Sequence, residues 1–455
     1  MHFDNDFIWG AASASYQMEG GASDDGKGPS IWDTFSHIPG KIIDGTNGDT
    51  TCDGYHRFEE DLDILQKLGI KNYRFSISWP RVLPDGSGEV NKAGLAYYDK
   101  VVDGCLSRGI EPWVTLYHWD LPQALEDRGG WQNRETAVLF GEYCRIIAEH
   151  FRGRVTHYMT VNEPETYIGL GYCVGEHAPG LRLDYEGQFR AWHNMLLSHG
   201  YGALAIREAD PDAQVAAVPC GNIGYIHEHT AKTPEGLADY TFHSHPDDTG
   251  VPRSFFTYHW FLDPAVFGRY PDDPESPWGG PADEFARSPE YEHDMAIIKQ
   301  PLDFIGINIY SGIELDPENG YKEKPFYPGF PRTAFKWPVT PEVLYWGPRL
   351  MYERYGLPIY LTENGLSCND KVYLDGKVHD PDRIDFLTRY LSELSDAVAD
   401  GVPVKGYFHW SLTDNFEWAN GYTERFGLVY IDYRTGERIP KDSAYWYADL
   451  IKRQK

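Results

Sequence analysis

The 455-residue sequence has only six cysteines, Cys52, Cys105, Cys144, Cys173, Cys220 and Cys368, and no two form a C-x-x-C pair. Several sit inside apolar helix or strand patterns, which points to reduced, mostly buried thiols, not to a disulfide framework or a metal site. No run of about 18 apolar residues occurs, so no membrane-spanning helix is expected. The opening stretch MHFDNDFIWGAAS lacks the basic and long apolar regions of a secretion signal, and no Asn-x-Ser/Thr sequon is present. A cytoplasmic protein is the simplest expectation. Positive charge is scarce as well. Lys and Arg number 41 against 69 Asp and Glu, a formal net charge of −28. That balance argues against nucleic acid and anionic membrane as partners, and it leaves a homo-oligomer open. Also missing are a phosphate-cradling G-x-x-x-x-G-K, an H-E-x-x-H and a Ser/His/Asp set. No cofactor and no metal is expected.

What is abundant is apolar and aromatic. Hydrophobic residues make up 41% and aromatics 15%, with 14 Trp and 32 Tyr. A large core accounts for most of them, but aromatic faces are also the usual platforms for sugar rings. Along the chain, amphipathic stretches that stop at Gly or Pro alternate with short apolar runs. The runs are FIWGAAS, IKNYRFSISW, IEPWVTLYHW, RVTHYMTVNE, AQVAAVP, LDFIGINIY, LPIYLTENG and VPVKGYFHW. Glycines 69, 109, 153, 356 and 401 fit helix C-caps. Short apolar runs between helices suit parallel strands buried on both faces. Eight such units predict an α/β fold, a single (β/α)₈ TIM barrel over residues 1–455, with no linker dividing it. Three polar stretches, roughly 220–260, 265–295 and 312–340, are expected as long βα loops around one mouth.

Barrels of this kind carry their chemistry at the C-terminal strand ends. Those ends hold Gln17 and Glu19, then Arg74, His118-Trp119-Asp120 and Asn162-Glu163. After them come Asn308 and Tyr310, Glu363-Asn364, and His409-Trp410 with Glu417-Trp418 beyond. Two carboxylates with no metal ligands beside them suit glycoside hydrolysis, where one group donates a proton and the other stays charged. On spacing alone, a structural salt-bridge network remains the alternative.

The blocks FIWGAASASYQMEG, YRFSISWPRVLP, YHWDLPQAL, TVNEP, DFIGINIY, LTENG and DNFEWANGYTERFGLVYIDY stand in the order found in family 1 glycoside hydrolases. Over essentially its whole length the chain resembles that family's β-glucosidases. The resemblance implies a retaining double displacement. Glu363 would be the nucleophile and Glu163 the acid/base, with carboxyls about 5–5.5 Å apart. It places Arg74 and Tyr310 beside the nucleophile. Gln17, His118, Trp119, Asn162, Asn308, Trp410, Glu417 and Trp418 would hold the sugar. It implies a small-molecule β-glycoside as partner: aryl and alkyl β-glucosides, cellobiose and short oligosaccharides, as in cellulose degradation. A transglycosidase with the same residues, or a main β-fucosidase or β-galactosidase activity, is the alternative.

Plainer roles are expected elsewhere. Trp32, Trp79, Trp113 and Trp131 read as core, His409 as a core histidine, and Asp120 and Asp414 as structural hydrogen-bonding groups. The loose cluster His227, Glu228, His229, His243, His245, Asp247 and Asp248 reads as solvated surface or an entrance wall in preference to a metal site. Glu165 stands where the family usually has a large aromatic. It is expected either to face solvent or to make the aglycone side more polar.

Overall fold

The computed structural model describes residues 1–245 and 253–454. Eight strands follow the eight apolar runs: β1 (Ile8–Ala12), β2 (Asn72–Ser76), β3 (Glu111–Tyr117), β4 (His157–Asn162), β5 (Gln214–Val218), β6 (Ile305–Asn308), β7 (Ile359–Asn364) and β8 (Val404–Trp410). All neighbours pair in parallel, in the order β5-β4-β3-β2-β1-β8-β7-β6. The two edges meet through a parallel bridge between Cys220 and Asn308. The amide of Asp303 also donates to the Val215 carbonyl at 3.0 Å, and that of Asn308 to the Pro219 carbonyl at 3.3 Å. The sheet thus closes into a barrel, and its strands are buried along nearly every residue, as parallel strands covered on both faces must be.

The outer layer is α1 (Gly54–Leu68), α2 (Lys92–Ser107), α3 (Arg134–Phe151), α4 (Tyr185–Ala209), α5 (Tyr291–Ile298), α6 (Val343–Tyr355), α7 (Pro381–Ala399) and α8 (Asp442–Arg453). The first turns of α3 and α4 are capped by the side chains of Asn133 and Asp184, which accept from the amides of Glu135 and Gly187. Gly69 and Gly356 end α1 and α6 at φ 71° and 69°, where an L side chain would be strained. Among the described residues no helix is long and apolar enough to cross a membrane.

The long connections are more ordered than their composition implies. The short strands Ile223–Tyr225, Gly312–Asp316 and Lys322–Glu323 form a second sheet that ties the loop after β5 to the loop after β6. Helices Glu235–Thr241 and Gly279–Phe285 lie in the stretches read as loops, and α5 is itself one of the barrel helices. The barrel core takes the tryptophans: Trp79, Trp113 and Trp131 are fully buried, and so is His409. Asp414 accepts from Lys441, Arg425 and the Gly427 amide, and Asp120 accepts from Ser15.

Candidate active site

A cavity of about 800 Å³ opens at the C-terminal ends of the strands. Glu163, Glu363, His118, Trp119, Asn308, Tyr310, Trp410, Glu417 and Trp418 line it. Both glutamates are delivered by irregular strand ends. The register of β4 against β5 shifts between Met159 and Asn162, and that of β7 against β6 between Leu361 and Glu363. Such bulges re-aim the side chains that follow. Glu163, Trp119 and Trp418 sit at φ 48°, 77° and 49°, left-handed conformations that cost a non-glycine residue about 1–3 kcal/mol and persist only under tight packing.

The two carboxyls have unequal surroundings. Arg74, fully buried on β2, donates from Nη1 to Glu363 Oε1 at 2.6 Å, and the Tyr310 hydroxyl donates to Oε2 at 2.7 Å. Glu163 has neutral donors only: the Asn308 amide at 2.8 Å on Oε1 and the Thr166 hydroxyl at 3.1 Å on Oε2. Burial, and then the charge of Glu363, push Glu163 up to about 8. Burial raises Glu363 too, but Arg74, Tyr310 and Asn308 pull it back. The pair therefore loses its first proton from Glu363 and its second from Glu163. One side of the cavity can attack and the other can donate a proton.

Arg74 also fixes the neighbouring amides. Its Nη2 donates to Asn162 Oδ1 at 2.6 Å, and Asn308 Nδ2 reaches the same oxygen at 3.1 Å. Asn162 Nδ2 lies 3.2 Å from His118 Nε2. Burial, then Arg74, hold His118 well below the usual histidine range, so its ring is neutral. Glu417 is pushed up to about 8 by burial and next by the charge of Glu363. Gln17 is fully buried behind the wall, where its amide donates to the Phe416 carbonyl at 2.9 Å and to Glu417 at 3.3 Å. Trp418 packs face to face on Trp119, with centroids 4.4 Å apart, and tilts against Trp32 at 4.7 Å. Trp32, read as core, thus backs the aromatic wall.

Glu165 takes neither of its expected positions. Its side chain is 0% exposed and does not line the cavity. The left-handed turn at Glu163 starts the short helix Pro164–Ile168, which turns residue 165 inward and presents Thr166 to the cavity. Sequence reading passed over Thr166, Cys220, His177, Phe335, Trp337 and Phe426, which complete the walls. The aromatic cluster of FYPGFPRTAFKW was the available signal for Phe335 and Trp337. In the histidine-rich loop, His227 pairs with Glu342 at 2.6 Å and His229 with Glu393 at 2.8 Å, while Asp247 and Asp248 lie outside the described residues. Among the described residues no group of three ligating side chains is placed to hold a metal ion.

The family model of glycosyl hydrolase family 1 matches residues 1–455. Beta-glucosidase A of Thermotoga maritima is 45% identical over 99% of this chain and 98% of its own length. Beta-glucosidase A of Acetivibrio thermocellus is 43% identical, again over 99% and 98%. The solved structure of the Thermotoga maritima beta-glucosidase in complex with deoxynojirimycin superposes with a TM-score of 0.87 at 42% identity, over 100% of this chain and 99% of that one.

Proposed function

The chain belongs to glycosyl hydrolase family 1, and from that premise we propose how its residues divide the work of a retaining β-glucosidase. Glu363 attacks the anomeric carbon of a terminal β-D-glucosyl residue while Glu163 protonates the departing glycosidic oxygen. The ester formed on Glu363 carries no charge. The electrostatic push on Glu163 then falls, and Glu163 takes a proton from the water that displaces the sugar. Two inversions return the β-anomer. The observation that carries this reading is the asymmetry of the two buried carboxyls: a guanidinium and a phenol on Glu363, neutral donors alone on Glu163.

Asn162, Asn308 and His118 are suited to sugar hydroxyls, and Trp410 to the ring face. Glu417, backed by Gln17, suits a pair of adjacent hydroxyls, with Trp418 and Trp119 closing the wall. Glu363, the acid that stays charged, disfavours a phosphorylated sugar in the same cavity. Neutral aryl and alkyl β-glucosides, cellobiose and short oligosaccharides fit best, in one barrel domain spanning the chain. The six unpaired cysteines favour a reducing compartment, the cytoplasm.

The test is Glu163→Ala on two leaving groups. Cellobiose should lose about 10²–10⁴-fold in kcat/KM, the usual worth of a general acid, and a dinitrophenyl β-glucoside far less, because its leaving group departs unassisted. Equal losses on both substrates would remove Glu163 from the acid role.

A further inference from the structure

Directly behind the proposed acid/base lies a second carboxyl that the double displacement does not use. The Glu165 side chain is 0% exposed. Its Oε2 accepts the Cys220 amide at 3.1 Å, and its Oε1 has no protein partner. The titratable groups that act on it are Glu163, Cys220, Tyr167 and Tyr258. None of these is a cation. A buried carboxylate held only by backbone amides and a thiol, with no countercharge, is costly, so this group holds its proton. Burial, its largest influence, and Glu163 both act in that direction.

Cys220 joins Glu165 to Glu163. Its backbone amide donates to Glu165, and its Sγ lies 3.3 Å from Thr166 Oγ1. Thr166 Oγ1 also lies 3.1 Å from Glu163 Oε2, so the hydroxyl links the Cys220 thiol to the acid. The same Cys220 backbone bridges to Asn308, whose amide holds the other Glu163 oxygen at 2.8 Å. Both oxygens of Glu163 are thus held by groups registered on Cys220, and Cys220 is registered on Glu165.

We infer that Glu165 is a positioning residue for the acid step: as a neutral carboxylic acid it anchors Cys220, and through Thr166 and Asn308 it orients Glu163 toward the leaving group. The inference rests on Glu163 being the acid/base.

The test compares Glu165→Met, which fills similar space without an acceptor, with Glu165→Gln, which keeps an uncharged acceptor. For Glu165→Met, kcat/KM on cellobiose should fall by about 10-fold or more, part of a general acid's worth. On a dinitrophenyl β-glucoside it should fall by less than about 3-fold, because no acid is needed there. Glu165→Gln should restore the cellobiose rate and leave the alkaline limb of the pH profile in place. Equal losses on both substrates in Glu165→Met would mean general structural damage and overturn the inference. So would a limb displaced to lower pH in Glu165→Gln, since it would reveal that a negative charge had been removed from beside Glu163. If Glu165→Gln does not fold, the leaving-group split in Glu165→Met decides alone. If Glu163→Ala itself shows no dependence on the leaving group, the reading of Glu163 fails instead, and the two failures are distinguishable.

Discussion

At the residue scale the chemistry turns on which carboxyl keeps its proton. Glu163 must be protonated to act as acid, and its raised value of about 8 sets where that form is lost. The kcat/KM profile on cellobiose should therefore hold through neutral pH and fall as pH rises through about 8. Glu417 titrates in the same region, so the wild-type limb mixes two groups. Glu417→Gln should raise KM but keep an alkaline limb on cellobiose. A limb that disappears in this variant would assign it to Glu417 and not to Glu163. The residue scale is also where sequence and structure part most clearly. Glu163 and Glu363 stand out in the sequence because a carboxylate at the end of a buried strand needs a reason. Glu165 does not declare itself. Its direction depends on a left-handed residue at Glu163, and neither composition nor periodicity encodes that turn.

At the scale of elements, the strands were legible because each is a short apolar run, and five of the eight, β2, β3, β4, β7 and β8, follow a helix-stop glycine, a local signal. The small sheet of Ile223–Tyr225, Gly312–Asp316 and Lys322–Glu323 was not. Its strands are two to five residues long, and the first pairs with a partner far along the chain. The loop from β8 to Glu417 and Trp418 depends on another long-range device. Lys441, 0% exposed, binds Asp414 at 2.7 Å and Asp370 at 2.5 Å, and Arg383 and Arg425 hold the same two acids from the other side. With Asp380, which also pairs with Arg383, three cations face three acids, and the set fastens the loop after β8 to the loop after β7. Lys441→Met leaves the acids short of a cation and should cost about 3–5 kcal/mol in denaturant unfolding. It should also raise KM more than it lowers kcat, because Glu417 and Trp418 lose their footing while Glu363 keeps Arg74.

Across the whole molecule, a net charge of −28 gives long-range repulsion that salt screens within about 8–10 Å. Raising sodium chloride from low to about physiological ionic strength should raise Tm and leave kcat/KM for a neutral aryl glucoside unchanged. A carboxylated aryl glucoside should bind better with salt, as its repulsion from the net negative protein is screened. Equal salt responses for both substrates would separate the overall charge from the chemistry of the cavity. The barrel makes that chemistry possible by bringing β2, β4, β6 and β7 to one rim, where Arg74, Glu163, Asn308 and Glu363 join in one hydrogen-bonded set.

The double displacement stands or falls with a covalent bond between Glu363 and the sugar. A fluorinated β-glucoside with a good leaving group, chosen to slow the second displacement, should inactivate the enzyme and add one glycosyl mass per chain. Peptide mapping should place that mass on Glu363, in the LTENG segment. A label on Glu163, or complete inactivation with no covalent adduct, would contradict the account.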